Sequence, residues 1–293
     1  MKNKSIPELD KLFIEIGTYR KSTEFKELLK FVRKFPHIAP YNAMLIHIQK
    51  PGSEFVASAA EWARRFKRNI KPGARPLVIL RPFGPVAFVF ELGDTYGADT
   101  FPEELINPFK VDGKVPESDY KQLINSLKSD GILCSEAEYG TSSAGFVEID
   151  ASKQEEKIVR RKKEIWVKIL YNMVVNKTHP IETRFATILH ELGHIYCGHL
   201  GTPDPKWKGW ENRQDLKLNQ KEFEAESACW LVCERMGIKN PSAEYLSGYL
   251  RDNDSIPDIS IETVLKTVGI IESMINGSRE PRKEIITFIN DLK

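Results

Sequence analysis

Two histidines four residues apart, with a glutamate directly after the first, are the residues of this chain best suited to chemistry. They form His190-Glu191-Leu192-Gly193-His194, within a helical pattern. Residues four apart on an α-helix differ by about 40° around its axis, so His190 and His194 project side by side. Two imidazoles so placed can bind one Zn²⁺, or another divalent ion, and leave Glu191 beside the open coordination position. The spacing predicts a one-metal centre in which Glu191 takes a proton from metal-bound water.

The helix that carries this motif is predicted to be buried. Apolar residues recur at helical spacing through the segment Pro180–Cys197. They are Phe185, Ile188, Leu189, Leu192 and Ile195. A second amphipathic helix is predicted over Leu218–Met236, closed by Gly237. Cys229 and Cys233 are four apart on that helix and are predicted to be core residues rather than ligands.

A catalytic zinc site usually has a third protein ligand. In the metzincin arrangement a Gly and a further His follow the second His at fixed spacing, but positions 197 and 200 hold Cys197 and Leu200. His199 is near, yet its offset does not fit that arrangement. A carboxylate from the next helix is therefore the expected third ligand.

Three glutamates at the start of the second helix are candidates for this ligand. Glu222 and Glu226 are four apart and share a face, whereas Glu224 lies about 200° from Glu222. One of the co-facing pair can bind the metal while the other hydrogen-bonds a ligand histidine. Glu224 is expected to be a solvated acid that complements the helix dipole.

The remaining pattern predicts an α+β fold in two parts. Apolar stripes and a capping box at Ser58 predict helices in the first part, before the period changes to that of strands. Pro76–Arg81 and Val86–Glu91 then predict a β-hairpin. We assign residues 1–125 to a small α+β domain and residues 126–293 to a mainly helical domain with a short sheet. The second domain is predicted to include strands at Gly145–Asp150 and Glu164–Leu170, separated by the charged stretch Ser152–Lys163. It also includes a helix over Ile261–Ile275 with a clear apolar face.

Composition excludes several classes of protein. No apolar run approaches the roughly 18 residues of a membrane helix, and the N-terminus lacks the apolar region of a secretory signal. Four cysteines in 293 residues do not make a disulfide scaffold, so a reducing cytoplasm is the expected location. Residues 1–125 carry 20 Lys and Arg against 15 Asp and Glu, whereas the remainder carry 23 against 26. This asymmetry suggests two modules with different partners.

A basic stretch from Trp62 to Arg81 has no acidic residue. Its cations and one aromatic residue are candidate nucleic-acid contacts: Arg64, Arg65, Lys67, Arg68, Lys71, Arg75 and Trp62. Phosphates bind such a run of positive charge, and unpaired bases stack on aromatic faces. The alternative is a solvated helix face with Trp62 and Phe66 in the core, which the residues alone slightly favour.

The metal motif resembles a known group of peptidases. Thr187–Ile195 and Glu222–Glu226 are similar to the gluzincin-type zinc peptidases and, among them, to the ImmA/IrrE-type metallopeptidases. The resemblance implies a zincin-like fold for the second domain, with Glu222 as the third ligand and Glu226 as the acid that supports a ligand histidine. Glu226 stands where Asp or Asn is commoner, which leaves an exchange of these two roles open.

Further segments resemble ArdC-type antirestriction proteins. Cys233–Ile238 and Ser242–Leu246 are similar to the C-terminal part of that family, and Tyr41–Ile46, Glu61-Trp62 and Ile70–Ile79 are similar to its N-terminal domain. That domain binds single-stranded DNA in the family, which favours a nucleic-acid role for the basic stretch. Tyr245, Tyr196 and His199 could each donate a hydrogen bond to an oxyanion. The family often has a tyrosine at the position of Tyr245, so Tyr245 is preferred.

Two functions of different classes follow. The first is a zinc-dependent endopeptidase that acts on a protein or peptide, with the strand Glu164–Leu170 holding extended substrate by β-augmentation. The alternative is a single-stranded DNA-binding antirestriction protein that protects mobile-element DNA and carries a structural or idle metal site. The sequence leaves the oligomeric state open.

Overall fold

The computed structural model is mixed α and β, and its described residues form two compact units. Described are residues 22–81, 84–97, 113–138, 144–204, 206–207, 210–238, 246, 249–250, 253 and 255–291. The first unit takes Met1–Lys110 and Gly248–Asp258, and the second takes Val111–Ser247 and Ile259–Lys293. Among the helices described, none combines the length and the apolar character needed to cross a membrane.

The first unit combines three described helices with five short strands. They are α1 (Ser22–Arg33), α2 (Pro40–Gln49), β1 (Val56–Ala57), α3 (Ala59–Phe66), β2 (Arg68–Ile70), β3 (Leu77–Arg81), β4 (Gly84–Glu91) and β5 (Thr95–Gly97). Strands β1, β4 and β3 form an antiparallel sheet in that order, and β2 pairs with β5 in a separate two-stranded ribbon. The pairing of β3 with β4 confirms the predicted hairpin.

Helix α3 is short, and its ends follow from its sequence. The Ser58 side chain accepts from the Glu61 backbone while Glu61 accepts from the Ser58 backbone, which is the predicted capping box. Lys67 ends the helix in the left-handed conformation, with φ of 55°. Between these ends Trp62 is fully buried against Phe55. Its indole N–H donates to the Phe90 carbonyl at 2.8 Å, so Trp62 joins the helix to the sheet.

The second unit holds four described helices and two three-stranded sheets. Its elements are α4 (Glu117–Leu127), β6 (Ile132–Ala137), β7 (Gly145–Ile149), β8 (Glu155–Arg160), β9 (Lys163–Lys168), β10 (Tyr171–Asn176), α5 (Ile181–Tyr196), α6 (Leu218–Met236), α7 (Ile261–Ile275) and β11 (Ile286–Asp291). In one sheet β10 lies between β6, its parallel partner, and β7, its antiparallel partner. In the other, β9 lies between β11 and β8, and both pairs are antiparallel.

The two helices predicted around the metal motif are confirmed. Helix α5 begins directly after Pro180, and α6 spans the predicted residues and ends at Gly237, whose φ of 69° suits a glycine C-cap. Phe185 and Leu189 of α5 and Phe223 of α6 are fully buried. Because α6 packs against α5 on one side and α7 on the other, most of its surface is buried.

The predicted strand over Glu164–Leu170 is confirmed as β9, although it is shorter at its C-terminal end. The strand ends at Lys168, where the Ile169 N–H donates to the Gln154 carbonyl and the Leu170 N–H to that of Gly131. The chain thus turns out of one sheet and into the other. The charged stretch Ser152–Lys163, predicted to separate two strands, itself contains β8, in which residues alternate between exposed and half-buried.

The boundary drawn at residue 125 falls inside helix α4. This helix packs on α7, where the Ser126 hydroxyl donates to the Met274 carbonyl at 2.8 Å. Helix α4 therefore belongs to the second unit, and the division lies at Lys110 rather than at residue 125.

Candidate metal centre

Helices α5 and α6 bring His190, His194 and Glu222 together. The Nε2 atoms of the two histidines lie 3.1 Å apart. The Glu222 carboxylate oxygens lie 3.5 Å from Nε2 of His190 and 3.6 Å from Nε2 of His194. Two imidazole nitrogens and one carboxylate oxygen that converge in this way are a donor set suited to one divalent cation.

The surroundings of this cluster are negatively charged, as a cation site requires. Burial by itself would lower the pKa of His190, but Glu222 and Glu226 outweigh this effect and raise that pKa to about 10. Contact with His190 and His194 holds the pKa of Glu222 well below its usual range. The field that favours a proton on His190 also favours a metal ion in its place.

Glu226 approaches the opposite edge of the His190 ring. Its Oε1 lies 3.3 Å from Nδ1 of His190, so it faces the nitrogen that does not point at His194. Its Oε2 is buried and finds no hydrogen-bond partner within the described part of the chain. Glu222 therefore faces the Nε2 atoms of both histidines, whereas Glu226 faces only Nδ1 of His190.

Glu191 lies beside the cluster on the wall of a cavity of about 410 Å³. Burial raises its pKa, while the nearby His190 and His194 oppose that rise. A backbone hydrogen bond from Val147 of β7 also reaches Glu191. The other cavity-lining residues come from the start of β7 and from α5 and α6: Ala144, Gly145, Thr183, Ala186, Thr187, His190 and Glu226.

His199 and Glu224 overturn two expectations from the sequence. Glu224, expected to be solvated, is fully buried and accepts from Arg213, the Ser260 backbone and His199. Burial would raise its pKa, but these bonds keep it below its usual value. His199, a candidate oxyanion donor, is buried between Glu224 and His194, and this burial lowers its pKa.

The turn at Gly198 explains how His199 reaches the site. Gly198 has φ of 78°, and the His199 N–H then donates to the His194 carbonyl at 3.0 Å. A Cβ at Gly198 would lie 2.6 Å from the Glu211 carbonyl oxygen, so only glycine lets the segment that carries Arg213 approach. The sequence signal that could have identified His199 is the glycine just past the end of the helix, which is followed directly by this histidine.

The two tyrosine candidates have different outcomes. The Tyr196 hydroxyl is buried and donates to Asp130 Oδ2 at 2.6 Å, so it is not available to an oxyanion. Tyr245 lies outside the described residues. Cys229 and Cys233 are buried and form no disulfide within the described residues, as predicted for core positions.

Of the predicted contact residues in the basic stretch, all but two are exposed. Trp62 is a core residue, so its assignment as a stacking surface was wrong: its ring is covered by Phe55 and Phe66. Arg68 is half-buried, and its guanidinium donates to Thr95 Oγ1 at 2.8 Å. The other predicted cations are exposed: Arg64, Arg65, Lys67, Lys71 and Arg75.

Sequence reasoning missed an exposed aromatic residue beside these cations. Tyr96 of β5 is 51% exposed and pairs with Asn69 in the ribbon that begins directly after Lys67. An aromatic residue next to a glycine in a three-residue strand carries no periodic signal, which is why the pattern did not identify it.

Comparison with known proteins gives two similar solved structures. Both are of the antirestriction ArdC protein from the R388 plasmid. The metal-free structure matches with a TM-score of 0.32 and 13% identity over 82% of this chain and 85% of that one. The Mn(II)-bound structure matches with a TM-score of 0.31 and 14% identity over 80% and 81%. No protein-family model and no curated protein matches the chain.

Proposed function

We propose that the second unit is a metal-dependent peptidase. The observation that carries this proposal is the convergence of two histidine Nε2 atoms and the Glu222 carboxylate beside Glu191. Of these residues, His190 and Glu191 line an open cavity. His190, His194 and Glu222 would hold one divalent ion, Zn²⁺ or another, and Glu226 would support His190. Such an ion polarises a peptide carbonyl and lowers the pKa of a coordinated water.

Glu191 is the group that would move the proton. It lies next to the ligand histidines without belonging to the converging set, so its carboxylate is free to accept a proton from the attacking water. Burial raises its pKa above that of an ordinary glutamate, which suits a carboxylate that must first accept the proton and then return it to the leaving amine.

Beside this site lies a strand that can pair with an extended peptide. In the described part of the sheet, β6 and β7 are the two edge strands, and residue Val147 of β7 reaches Glu191. Backbone groups along such an edge can pair with a substrate strand. We therefore move the proposed β-augmentation from Glu164–Leu170, where β9 has a partner on both sides, to Gly145–Ile149.

The test is cleavage of a mixed peptide library by the full chain loaded with Zn²⁺ or Mn²⁺, followed by mass spectrometry. Wild-type protein is expected to cleave, and Glu191→Gln to lose about 10²- to 10⁴-fold in rate while still binding the ion. Equal cleavage by Glu191→Gln, or no cleavage of any peptide by the metal-loaded wild type, overturns the proposal.

A second function, protection of mobile-element DNA through single-stranded DNA binding, is proposed for the first unit. It is favoured by the exposed cations around α3 and β2 together with the exposed ring of Tyr96. Phosphates and unpaired bases bind such a combination of positive charge and aromatic surface. The two functions belong to different units, so each is tested separately.

A further inference from the structure

A continuous line of polar groups runs from Arg213 to His194; Glu224 and His199 in its middle are buried, and the two ends are half-buried. The Arg213 guanidinium donates to both Glu224 oxygens, at 2.6 and 2.5 Å. Oε2 of Glu224 lies 2.8 Å from Nε2 of His199, and Nδ1 of His199 lies 2.9 Å from Nδ1 of His194. None of these contacts was expected from the motif.

The chemistry of these groups fixes the positions of the protons along the line. A carboxylate only accepts, so His199 must carry a proton on Nε2 in order to bond with Glu224. Arg213 already compensates the charge of Glu224, which leaves no partner for a second positive charge on the buried His199. Neutral His199 then presents a lone pair at Nδ1, and His194 must carry its own proton on Nδ1.

The same cluster is not a second metal site, although Cys197, His199 and Glu224 lie close enough together to suggest one. Both Glu224 oxygens are taken by the Arg213 cation, and Oε1 also accepts from the Ser260 N–H at 2.7 Å. Burial raises the pKa of the Cys197 thiol to about 12, so the thiolate that a metal needs is disfavoured. The cluster instead supports a neighbouring ligand.

We propose that His199, Glu224 and Arg213 are positioning residues that hold His194 in the Nδ1–H tautomer, so that its Nε2 lone pair faces the cation. This inference rests on the proposed metal site. A histidine that carried its proton on Nε2 could not ligate through that atom. Reversing the hydrogen-bond direction between His199 and His194 would therefore weaken metal binding without removing any ligand.

The first test is NMR of the full-length, metal-free protein with ¹⁵N-labelled histidine. The chain has six histidines, and His→Gln variants at 194 and 199 assign the two signals. We expect His194 to be protonated on Nδ1 and His199 on Nε2. The opposite pattern at either residue overturns the proposal, and because no metal is present, this result does not depend on the proposed function.

The second test is Zn²⁺ affinity measured by competition with a chelating dye. His199→Leu is expected to lower affinity about 10- to 100-fold. His199→Asn, whose side-chain carbonyl can accept from His194, is expected to recover most of that loss. Thr267→Val is the control, because Thr267 is equally buried and contacts only Cys197 among these groups.

The outcomes separate the two proposals. If wild type binds no Zn²⁺, the proposed metal site fails, and the NMR result alone decides the proton positions. If wild type binds Zn²⁺ and His199→Leu binds it equally well, the metal site stands and the positioning role is overturned. An equal loss in His199→Leu, His199→Asn and Thr267→Val indicates general loosening of the core and also overturns it.

Discussion

Gly193 of α5 lies against Ala225 of α6 and leaves no room for a side chain between them. A Cβ placed on Gly193 would lie 2.8 Å from the Ala225 Cα and 3.1 Å from its Cβ. Both distances are shorter than ordinary van der Waals contact, so a side chain at residue 193 would push the helices apart. Gly193, directly before the ligand candidate His194, thus allows the close approach of α5 and α6, the two helices that carry the histidines and Glu222.

Gly193→Ala is therefore expected to weaken metal binding although no ligand is altered. Overpacking costs about 1–3 kcal/mol, and the better helix propensity of alanine returns up to about 1 kcal/mol. Stability and Zn²⁺ affinity should both fall, as measured by urea unfolding and dye competition. The double variant Gly193→Ala, Ala225→Gly removes one of the clashing atoms and should recover part of the affinity. Unchanged affinity in Gly193→Ala would contradict this account.

Glu222 and Glu226 are expected to differ in their effect on metal affinity. Glu222 faces both Nε2 atoms, whereas Glu226 faces only Nδ1 of His190. Glu226→Gln should weaken Zn²⁺ binding about 10- to 100-fold, as is usual for a partner of a ligand, and Glu222→Gln should weaken it further. Isothermal titration calorimetry with Zn²⁺ and Mn²⁺ measures both. The reverse order would mean that the two glutamates exchange roles.

Chelation is expected to leave the second unit folded. Its ligand helices pack through fully buried Phe185, Leu189 and Phe223, which do not depend on an ion. Zn²⁺ at a thousand times its Kd should add about 4 kcal/mol of stability, and a domain of this size gains about 2–4 °C in Tm per kcal/mol. Circular dichroism with EDTA and thermal scans at rising Zn²⁺ concentration test both points. Loss of helix on chelation, or a Tm that rises equally in His194→Ala, would refute this expectation.

The single-stranded DNA binding proposed for the first unit should depend steeply on salt. Each phosphate contact contributes about 0.7 to the slope of log affinity against log salt for single strands. Replacing Arg64, Arg65 or Lys67 with alanine should lower that slope, as measured by fluorescence anisotropy with an oligonucleotide. Tyr96→Ala should cost about 1–3 kcal/mol if a base stacks on its ring.

Two control variants sharpen this measurement. Lys206→Ala removes an exposed cation from the second unit and should leave DNA affinity and its salt slope unchanged. Trp62→Phe removes the hydrogen bond to Phe90 from the core and should lower stability without changing the slope. Equal losses in Lys206→Ala and Lys67→Ala would point to nonspecific attraction rather than to a surface on the first unit.

The helices that carry the site could be predicted from local sequence. Proline at position 180 marks the start of α5, and glycine at position 237 marks the end of α6. Within each helix, apolar residues recur at helical spacing. Residues four apart share a helix face in any fold, which is why His190 and His194 were identified as a pair, as were Glu222 and Glu226. Local rules of this kind require no knowledge of tertiary contacts.

The residues that were misjudged depend on contacts between distant segments. Glu224 was expected to face solvent because it lies opposite Glu222, but α6 is covered on both faces, and Arg213 supplies the compensating charge. Trp62, a candidate stacking residue for which a core position was the alternative, packs against Phe55 and donates to the carbonyl of Phe90, 28 residues away. Periodicity shows which side chains share a face, but it does not show how many faces of a helix are covered.

The second unit is discontinuous in sequence. Residues 248–258 belong to the first unit, and the chain re-enters the second at Ile259, one residue before the Ser260 N–H that donates to Glu224. Neither unit can therefore be isolated by truncating the gene at a single position: residues 111–293 expressed alone would carry a segment that belongs with the missing half. Dissection of the two activities is consequently a task for point substitutions in the intact chain.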